Sequence, residues 1–216
     1  MRDGEAILLR WDLPAGDTWF APVVPDNAKY LAFRRTIREA DAGLERPLSD
    51  APPETTEQQR EIGRRERANA DLAYGGVARV RPIRCIEAAL FAYQHARYDE
   101  LTHPTELISL ISRKDAMLRV YFGASDQMFP PKKLYGTAEA EQDVANGWRL
   151  LGHLHNHTIV KRGDRPALGV PVPSTSDVLL LRGLRDDLHL ETVWVTNGYF
   201  TGEVPAAALD RFETPP

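Results

Sequence analysis

The pair of histidines in His155-Asn156-His157, followed by the run Ser174-Thr175-Ser176-Asp177, constrains the fold most strongly. Residues 147 to 157 have the pattern of a β-strand, on which side chains two residues apart point to the same face. The two histidines are therefore expected to lie side by side. An aspartate at the start of the next predicted helix can complete a set of three ligands, so strand and helix must meet. Three such donors leave a fourth position of a zinc ion open.

A carboxylate upstream of these residues extends the pattern. Glu106 lies at the start of another predicted strand. Zinc lowers the pKa of a bound water toward about 7, and a nearby glutamate can take the proton that this water releases. The combination predicts a metal site for hydrolysis, with zinc as the cofactor.

Composition sets limits on partners and on location. The chain has 216 residues, enough for one well-buried domain or for one domain with an appended lobe. The net charge of -4 does not favour a nucleic-acid or membrane-surface partner. A single cysteine excludes an internal disulfide, and no apolar run approaches the length needed to span a bilayer. We therefore expect a cytoplasmic protein that binds neither nucleic acid nor membranes.

The N-terminal part is predicted to contain two strands and two helical segments. Ala6–Leu9 and Thr18–Phe20 read as short strands joined by a turn. Asp26 is expected to cap a helix in which apolar residues recur at helical spacing, namely Tyr30, Phe33, Ile37, Ala40 and Leu44. A Pro-rich break follows at residues 47 to 53. Residues 55 to 69 are almost wholly polar and indicate an exposed helix or a linker.

The rest of the chain predicts a mixture of helices and mostly antiparallel strands. Strands are expected at 77–80, 106–112, 118–122, 147–157, 192–196 and 199–204, and helices at 83–98, 138–145 and 177–187. Asn197-Gly198 suits a type I′ turn between the last two strands. This pattern is typical of the α+β class. The predicted division is an N-terminal extension or lobe over residues 1–76, a domain over 77–205 and a tail over 206–216.

Residues 77 to 205 resemble the JAB/MPN (JAMM) zinc metalloprotease family, whose best-known members are deubiquitinases. That family has a glutamate on an early strand, then a His-Ser/Thr-His-Pro motif, then a Ser-x-x-Asp motif. The matching segments here are His103-Pro104-Thr105-Glu106-Leu107-Ile108, Gly152-His153-Leu154-His155-Asn156-His157 and Pro173-Ser174-Thr175-Ser176-Asp177-Val178. The resemblance implies an MPN-like (cytidine-deaminase-like) mixed sheet flanked by helices, here with an N-terminal extension.

The resemblance also implies a role for each residue of the motif. His155, His157 and Asp177 would be the zinc ligands, Glu106 the general base and later proton donor, and Ser174 the group that hydrogen-bonds the developing oxyanion. The implied activity is hydrolysis of an amide bond in a protein or peptide substrate. One candidate is the isopeptide at the C-terminal tail of a ubiquitin-like or carrier protein.

The chain departs from the family pattern at three points. Asn156 stands where Ser or Thr is usual, and Thr158 stands where Pro is usual. The 16 residues from 158 to 173 form a longer connection than the family typically has. His153 shares a strand face with the other two histidines, so a 153/155 ligand pair is a second possibility. The Gly-x-x-His offset from Gly152 favours the pair 155/157.

Two interpretations that assign the chain to another functional class stay open. A non-catalytic MPN-like scaffold would act by binding alone, although such scaffolds typically lack one of the five motif residues. A two-His-one-carboxylate set can also hold non-heme iron. The identity of the bound metal and activity on amides distinguish these readings.

Overall fold

The structure, a computed structural model, describes residues 6–22, 26–40, 56–162 and 165–216. The α+β class is confirmed, since seven strands form one mixed sheet with helices packed against it. The seven strands are β1 (Ile7–Pro14), β2 (Arg79–Pro82), β3 (Leu107–Lys114), β4 (Met117–Ala124), β5 (Arg149–Asn156), β8 (Thr192–Thr196) and β9 (Phe200–Pro205). Their order in the sheet is β1-β4-β3-β5-β8-β9-β2; β5 and β8 pair in parallel, and all other neighbours are antiparallel.

Five α-helices are described, and they cover both faces of the sheet. They are α1 (Ala28–Ala40), α2 (Glu57–Leu72), α3 (Cys85–Arg97), α4 (Thr137–Ala145) and α5 (Thr175–Leu188). Apolar residues of α5 and α4 pack with one face, for example Leu181 and Ala140 against Leu110. Residues of α3 pack with the other face, for example Leu90 against Leu154. None of the helices in the described residues is long and apolar enough to cross a membrane.

The N-terminal residues attach to this sheet in three ways. β1 pairs with β4 from Ile7 opposite Ala124 to Pro14 opposite Met117. Helix α1 buries Tyr30, Phe33 and Ile37 in an apolar cluster with Phe91 of α3. Helix α2, predicted as an exposed helix or a linker, forms a helix with a Thr56–Gln59 capping box and lies against α5. The residues before the metal motif are therefore in contact with the sheet that carries it.

Two predictions at the N-terminus were wrong. Thr18–Phe20 is not a strand, because β1 runs to Pro14 and the chain then turns into a 3₁₀ helix over Asp17–Phe20. The indole Nε1 of Trp19 donates to the carbonyl of Pro14 at 3.0 Å and holds this turn against the end of β1. The cap of α1 is Asn27 rather than Asp26, since its Oδ1 accepts the N–H of Tyr30 at 3.0 Å. Leu44 and the predicted break at residues 47 to 53 lie outside the described residues.

The predicted type I′ turn at Asn197-Gly198 was also wrong. Such a turn needs a positive φ at both central residues. Gly198 has a φ of 80°, but Asn197 is not among the described non-glycine residues with positive φ. The Asn197 N–H donates to Phe200, so the central pair is Gly198-Tyr199, and the Asn197 side chain accepts the N–H groups of Tyr199 and Phe200.

The long connection between His157 and Ser174 contains a small hairpin. Its strands are β6 (Val160–Arg162) and β7 (Arg165–Ala167), which pair antiparallel, and Gly163 and Asp164 between them lie outside the described residues. Ile159 before the hairpin and Leu168 after it are buried in the cluster that α1 and α3 form. Both ends of the connection are thus anchored in the core.

Candidate metal centre

The central strand β5 positions the two histidines. His155 lies opposite Ile108 of β3 and opposite Val195 of β8. The N–H of His157 donates to the carbonyl of Thr196 at 2.8 Å, so strand-like pairing continues one residue past the end of β5. Since Leu154 packs on the α3 side, the alternation of the strand directs both histidines toward the α5 side.

The first turn of α5 positions the aspartate. Ser174 is the N-cap, and its hydroxyl accepts the N–H of Asp177 at 3.3 Å. In return, Oδ2 of Asp177 accepts the N–H of Ser174 at 2.7 Å. This reciprocal capping box satisfies free donors of the helix terminus and fixes the rotamer of the carboxylate. The Ser-x-x-Asp motif is therefore a helix cap, and the same carboxylate oxygen also faces the histidines.

Three ligand atoms converge at this point. The Nε2 atoms of His155 and His157 are 3.3 Å apart, and each lies 3.3 Å from Oδ2 of Asp177. Bonds of 2.0–2.1 Å to a tetrahedral zinc ion place neighbouring ligand atoms about 3.3–3.4 Å apart. The three donors fit the spacing and the chemistry of zinc. They are also the only group of three or more potential metal ligands in the described part of the chain.

The long connection of residues 158–173 hydrogen-bonds His157 through the ring nitrogen that does not face the other two candidate ligands. Nδ1 of His157 donates to the carbonyl of Val170 at 2.7 Å, which leaves the lone pair of Nε2 directed at the other donors in the neutral ring. The backbone at Gly169 passes so close that an added Cβ would lie 2.8 Å from Cβ of His157. The connection therefore packs directly on the site and orients the imidazole of His157.

The charges of the site depend on each other. Burial lowers the pKa of His157, but the hydrogen bond and the charge of Asp177 outweigh burial and raise it to about 9. Burial opposes ionisation of Asp177, yet the two histidines hold the pKa of its carboxyl well below the ordinary value. A metal ion needs the neutral imidazole, so its binding would displace a proton from His157.

Glu106 lies at the entrance of β3, next to this group. Burial raises the pKa of its carboxyl to about 7, the charge of His157 lowers it, and the charge of Asp177 raises it. These effects place Glu106 within electrostatic reach of two of the three candidate ligands. A carboxyl group with a pKa near neutrality is suited to general acid–base catalysis at physiological pH.

Ser174 and His153 have different surroundings. The Ser174 hydroxyl accepts the N–H of Asp177 at 3.3 Å and lies 2.9 Å from the Ser176 hydroxyl, and either hydroxyl can donate to the other. His153 is 2% exposed, and burial and the neighbouring His155 lower its pKa to about 3. Neither of its ring nitrogens has a hydrogen-bond partner among the described residues. His153 is a neutral buried ring outside the group of three candidate ligands.

The sequence predicted no role for three further residues near the site. Glu66 of α2 accepts the N–H of Thr175 at 2.8 Å and its hydroxyl at 2.7 Å, so it holds the first turn of α5. Burial and the charges of Asp177 and Glu106 raise the pKa of Tyr135, which places this phenol near both carboxylates. Asn156 bonds the backbone on both sides of Glu106. Only Asn156 had a sequence signal, its departure from the Ser or Thr of the family motif.

Comparisons of the chain with protein-family models, with curated proteins and with solved structures find no match. The resemblance to JAB/MPN metalloproteases therefore rests on the motif residues and stays a prediction.

Proposed function

We propose that the protein is a zinc-dependent peptidase or isopeptidase of the JAB/MPN type, with an MPN-like fold. The observation that carries this proposal is the triangle of ligand atoms, whose 3.3 Å edges suit tetrahedral zinc. The half-buried Glu106 beside it supplies a base where hydrolysis needs one. Two nitrogens and one carboxylate oxygen leave the open position that distinguishes catalytic zinc sites from structural ones.

In the proposed mechanism each site residue has its own role in amide hydrolysis. His155, His157 and Asp177 would hold zinc, which when bound acidifies a water molecule and polarises the substrate carbonyl. The Glu106 carboxylate accepts the proton of the attacking water and delivers it to the nitrogen of the leaving amine. The Ser174 hydroxyl donates to the carbonyl oxygen as negative charge grows there.

The surroundings of Glu106 support a protein or peptide substrate. The N–H of Glu106 donates to the carbonyl of Met128 at 2.9 Å, so residues 128 and 129 border the base. Met128 is 48% exposed and Phe129 66% exposed, which is unusual for such side chains. An extended tail of a ubiquitin-like or carrier protein would find an apolar contact there, next to the proposed cleavage point.

The test is hydrolysis of amide and isopeptide substrates that end in ubiquitin-like tails, by the zinc-loaded protein. We expect turnover that a chelator abolishes and added zinc restores, and that Glu106→Gln loses while it retains zinc. Bound zinc with no turnover on any of these substrates would refute the enzymatic proposal in favour of a scaffold. Iron as the native metal would refute the metal assignment.

A further inference from the structure

Asn156, the residue between the two histidines, makes two hydrogen bonds that enclose Glu106. Its Oδ1 accepts the N–H of Leu107 at 2.6 Å, and its Nδ2 donates to the carbonyl of Thr105 at 3.0 Å. These are the peptide groups on the two sides of Glu106. The Asn156 side chain is fully buried, so no water competes for either bond.

The two bonds begin where the backbone ladder stops. β3 and β5 pair from Arg113 opposite Arg149 to Ile108 opposite His155, and the ladder has no further pair beyond that point. Beyond that point the Asn156 side chain makes the hydrogen bonds that connect the N-terminal end of β3 to the C-terminal end of β5. Without it, the backbone at Glu106 would depend on other contacts for its distance from the histidines.

Thr105 is held from its other side by a second set of buried groups. The Glu100 carboxyl accepts the N–H of Thr105 at 3.2 Å and its hydroxyl at 2.9 Å. Nε2 of Gln94 donates to the same hydroxyl at 2.8 Å. Thr105, Glu100 and Gln94 are each at most 1% exposed. The Asn156 amide therefore bonds a residue that buried neighbours already hold in place. A residue that positions Glu106 needs such a fixed attachment.

The ligand histidines do not depend on this amide. β5 pairs with β8 from Gly152 opposite Thr192 to Asn156 opposite Thr196, and the N–H of His157 bonds Thr196 as well. Because side chains alternate along a strand, the Asn156 side chain points away from the face that carries the histidines. Its loss should leave the ligand atoms in place while it releases Glu106.

We propose that Asn156 is a positioning residue that sets Glu106 at its working distance from the metal ligands. The inference rests on the proposed function, because it assigns to Glu106 the role of the base. Misplacement of a catalytic group by about 1 Å can cost about 100-fold in rate. Asn156→Ala should therefore lower kcat by about 10- to 100-fold and leave KM and the zinc dissociation constant within about threefold.

The chain contains a matched control in Asn69 of α2. This asparagine is 1% exposed, accepts the N–H of Glu213 at 2.6 Å and donates to the carbonyl of the same residue at 3.0 Å. It makes the same pair of backbone bonds in equal burial, but it holds the C-terminal segment. Asn69→Ala should cost comparable stability and leave kcat unchanged.

The experiment compares Asn156→Ala, Asn69→Ala and wild type by three readouts. These are the zinc dissociation constant from chelator competition, hydrogen exchange of the Leu107 amide by NMR, and kcat with KM. We expect Asn156→Ala alone to speed Leu107 exchange by at least about tenfold and to lower kcat, with zinc affinity retained. Asn156→Ser, too short to span both peptide groups, should change the same readouts if the alanine variant does not fold.

An unchanged Leu107 exchange rate, or an equal loss of kcat in Asn69→Ala, would overturn the inference. Zinc affinity that falls together with kcat would also overturn it, because the amide would then serve the ligands. If wild type hydrolyses no substrate, the proposed function fails, yet the exchange and affinity readouts still decide the structural claim. Fast exchange of the Leu107 amide in Asn156→Ala with retained zinc affinity would support the two hydrogen bonds from Asn156 as the contacts that hold Glu106. Slow exchange would refute this.

Discussion

Two buried polar clusters lie against the same sheet, and they differ in how their charges and hydrogen-bonding groups are paired. In the first, Arg81 of β2 donates to Glu87 of α3 at 2.9 and 2.6 Å, and Thr201 donates to the same carboxylate at 2.7 Å. Arg81 also bonds Glu203, so each carboxylate faces a cation. In the second, the candidate metal site, two imidazole nitrogens and a carboxylate oxygen lie 3.3 Å from one another, and Nδ1 of His155 has no hydrogen-bond partner among the described residues.

We expect this difference to separate a structural cluster from a candidate binding site. Buried charges that are paired and fully hydrogen-bonded can serve the fold alone. Converging lone pairs repel one another unless protons or a cation lie between them. The Arg81 cluster is complete as it stands, whereas in the candidate metal site the charge of Asp177 is balanced by a proton on His157 that a bound metal ion would replace. Four substitutions test whether this contrast is real.

The largest effect is expected at Glu106. Replacement by glutamine keeps the size of the side chain and removes the base, so kcat should fall by about 10²- to 10⁴-fold. Zinc content should stay at the wild-type value, because Glu106 is not one of the ligands. Elemental analysis beside steady-state kinetics checks both parts. Loss of zinc in Glu106→Gln would mean that this carboxylate is a ligand instead.

The next largest effect is expected in the Arg81 cluster, and on stability alone. Glu87→Gln leaves the buried Arg81 short of one charge partner, which should lower the free energy of unfolding by about 3 kcal/mol. The exposed pair Arg149–Glu191 offers a control, and Glu191→Gln should cost at most about 0.5 kcal/mol. Urea unfolding measures both. A change in zinc affinity of folded Glu87→Gln would break the distinction between the two clusters.

Glu100 is a buried carboxyl whose environment favours the protonated form, and the effect of replacing it should depend on pH. Burial raises the pKa of Glu100 to about 8 from an ordinary value near 4.5. Between these values the unfolded chain has lost the proton that the folded chain keeps, so rising pH favours unfolding. Glu100→Gln removes this dependence and should gain about 1–3 kcal/mol over wild type between pH 5 and pH 8.

The measurement for Glu100 is urea unfolding of the metal-free proteins at pH 5, 6, 7 and 8. At pH 5 both side chains are neutral in the folded proteins and the ionisation of Glu100 in the unfolded chain contributes least, so the difference there mainly reports the change in hydrogen bonds. Only the growth of the difference with pH tests the claim. Parallel stability curves for wild type and Glu100→Gln would show that Glu100 is ionised in the folded protein.

The smallest effect is expected at Glu66, which connects α2 to the site. Glu66→Ala removes the acceptor for the Thr175 N–H and should lower the free energy of unfolding by about 1 kcal/mol. It should also weaken zinc binding by about tenfold, because Asp177 lies in the same turn. Glu61→Ala on the exposed side of α2 is the control and should leave zinc affinity unchanged. Equal zinc affinity in both variants would confine α2 to a structural role.

The sequence was most informative where a feature depends on local pattern. The apolar runs at 107–112 and 118–122 predicted β3 and β4, and the leucine spacing after Asp177 predicted α5. The strand predicted at Thr18–Phe20 was wrong because a side-chain bond from Trp19 to the end of β1 closes a turn there. That bond depends on where β1 ends, which alternation alone did not determine.

The site divides along the same line. Spacing and the family resemblance predicted the three candidate ligand residues, but the 3.3 Å triangle of their atoms depends on the position of α5 relative to β5. The support from Val170, Glu66 and Asn156 joins residues that are 13, 109 and 49 positions apart in the chain. No local pattern encodes such contacts. The polar segment at 55–69 was predicted to face solvent because the partners of Glu66 and Asn69 lie more than a hundred residues away.

The most direct test of the central claim is the zinc content of the purified protein by elemental analysis, beside the double variant His155→Ala/His157→Ala. The converging donors predict about one zinc per chain in wild type and almost none in the double variant. A wild type that takes up no zinc after reconstitution would contradict the account. So would a double variant that binds as much zinc as wild type.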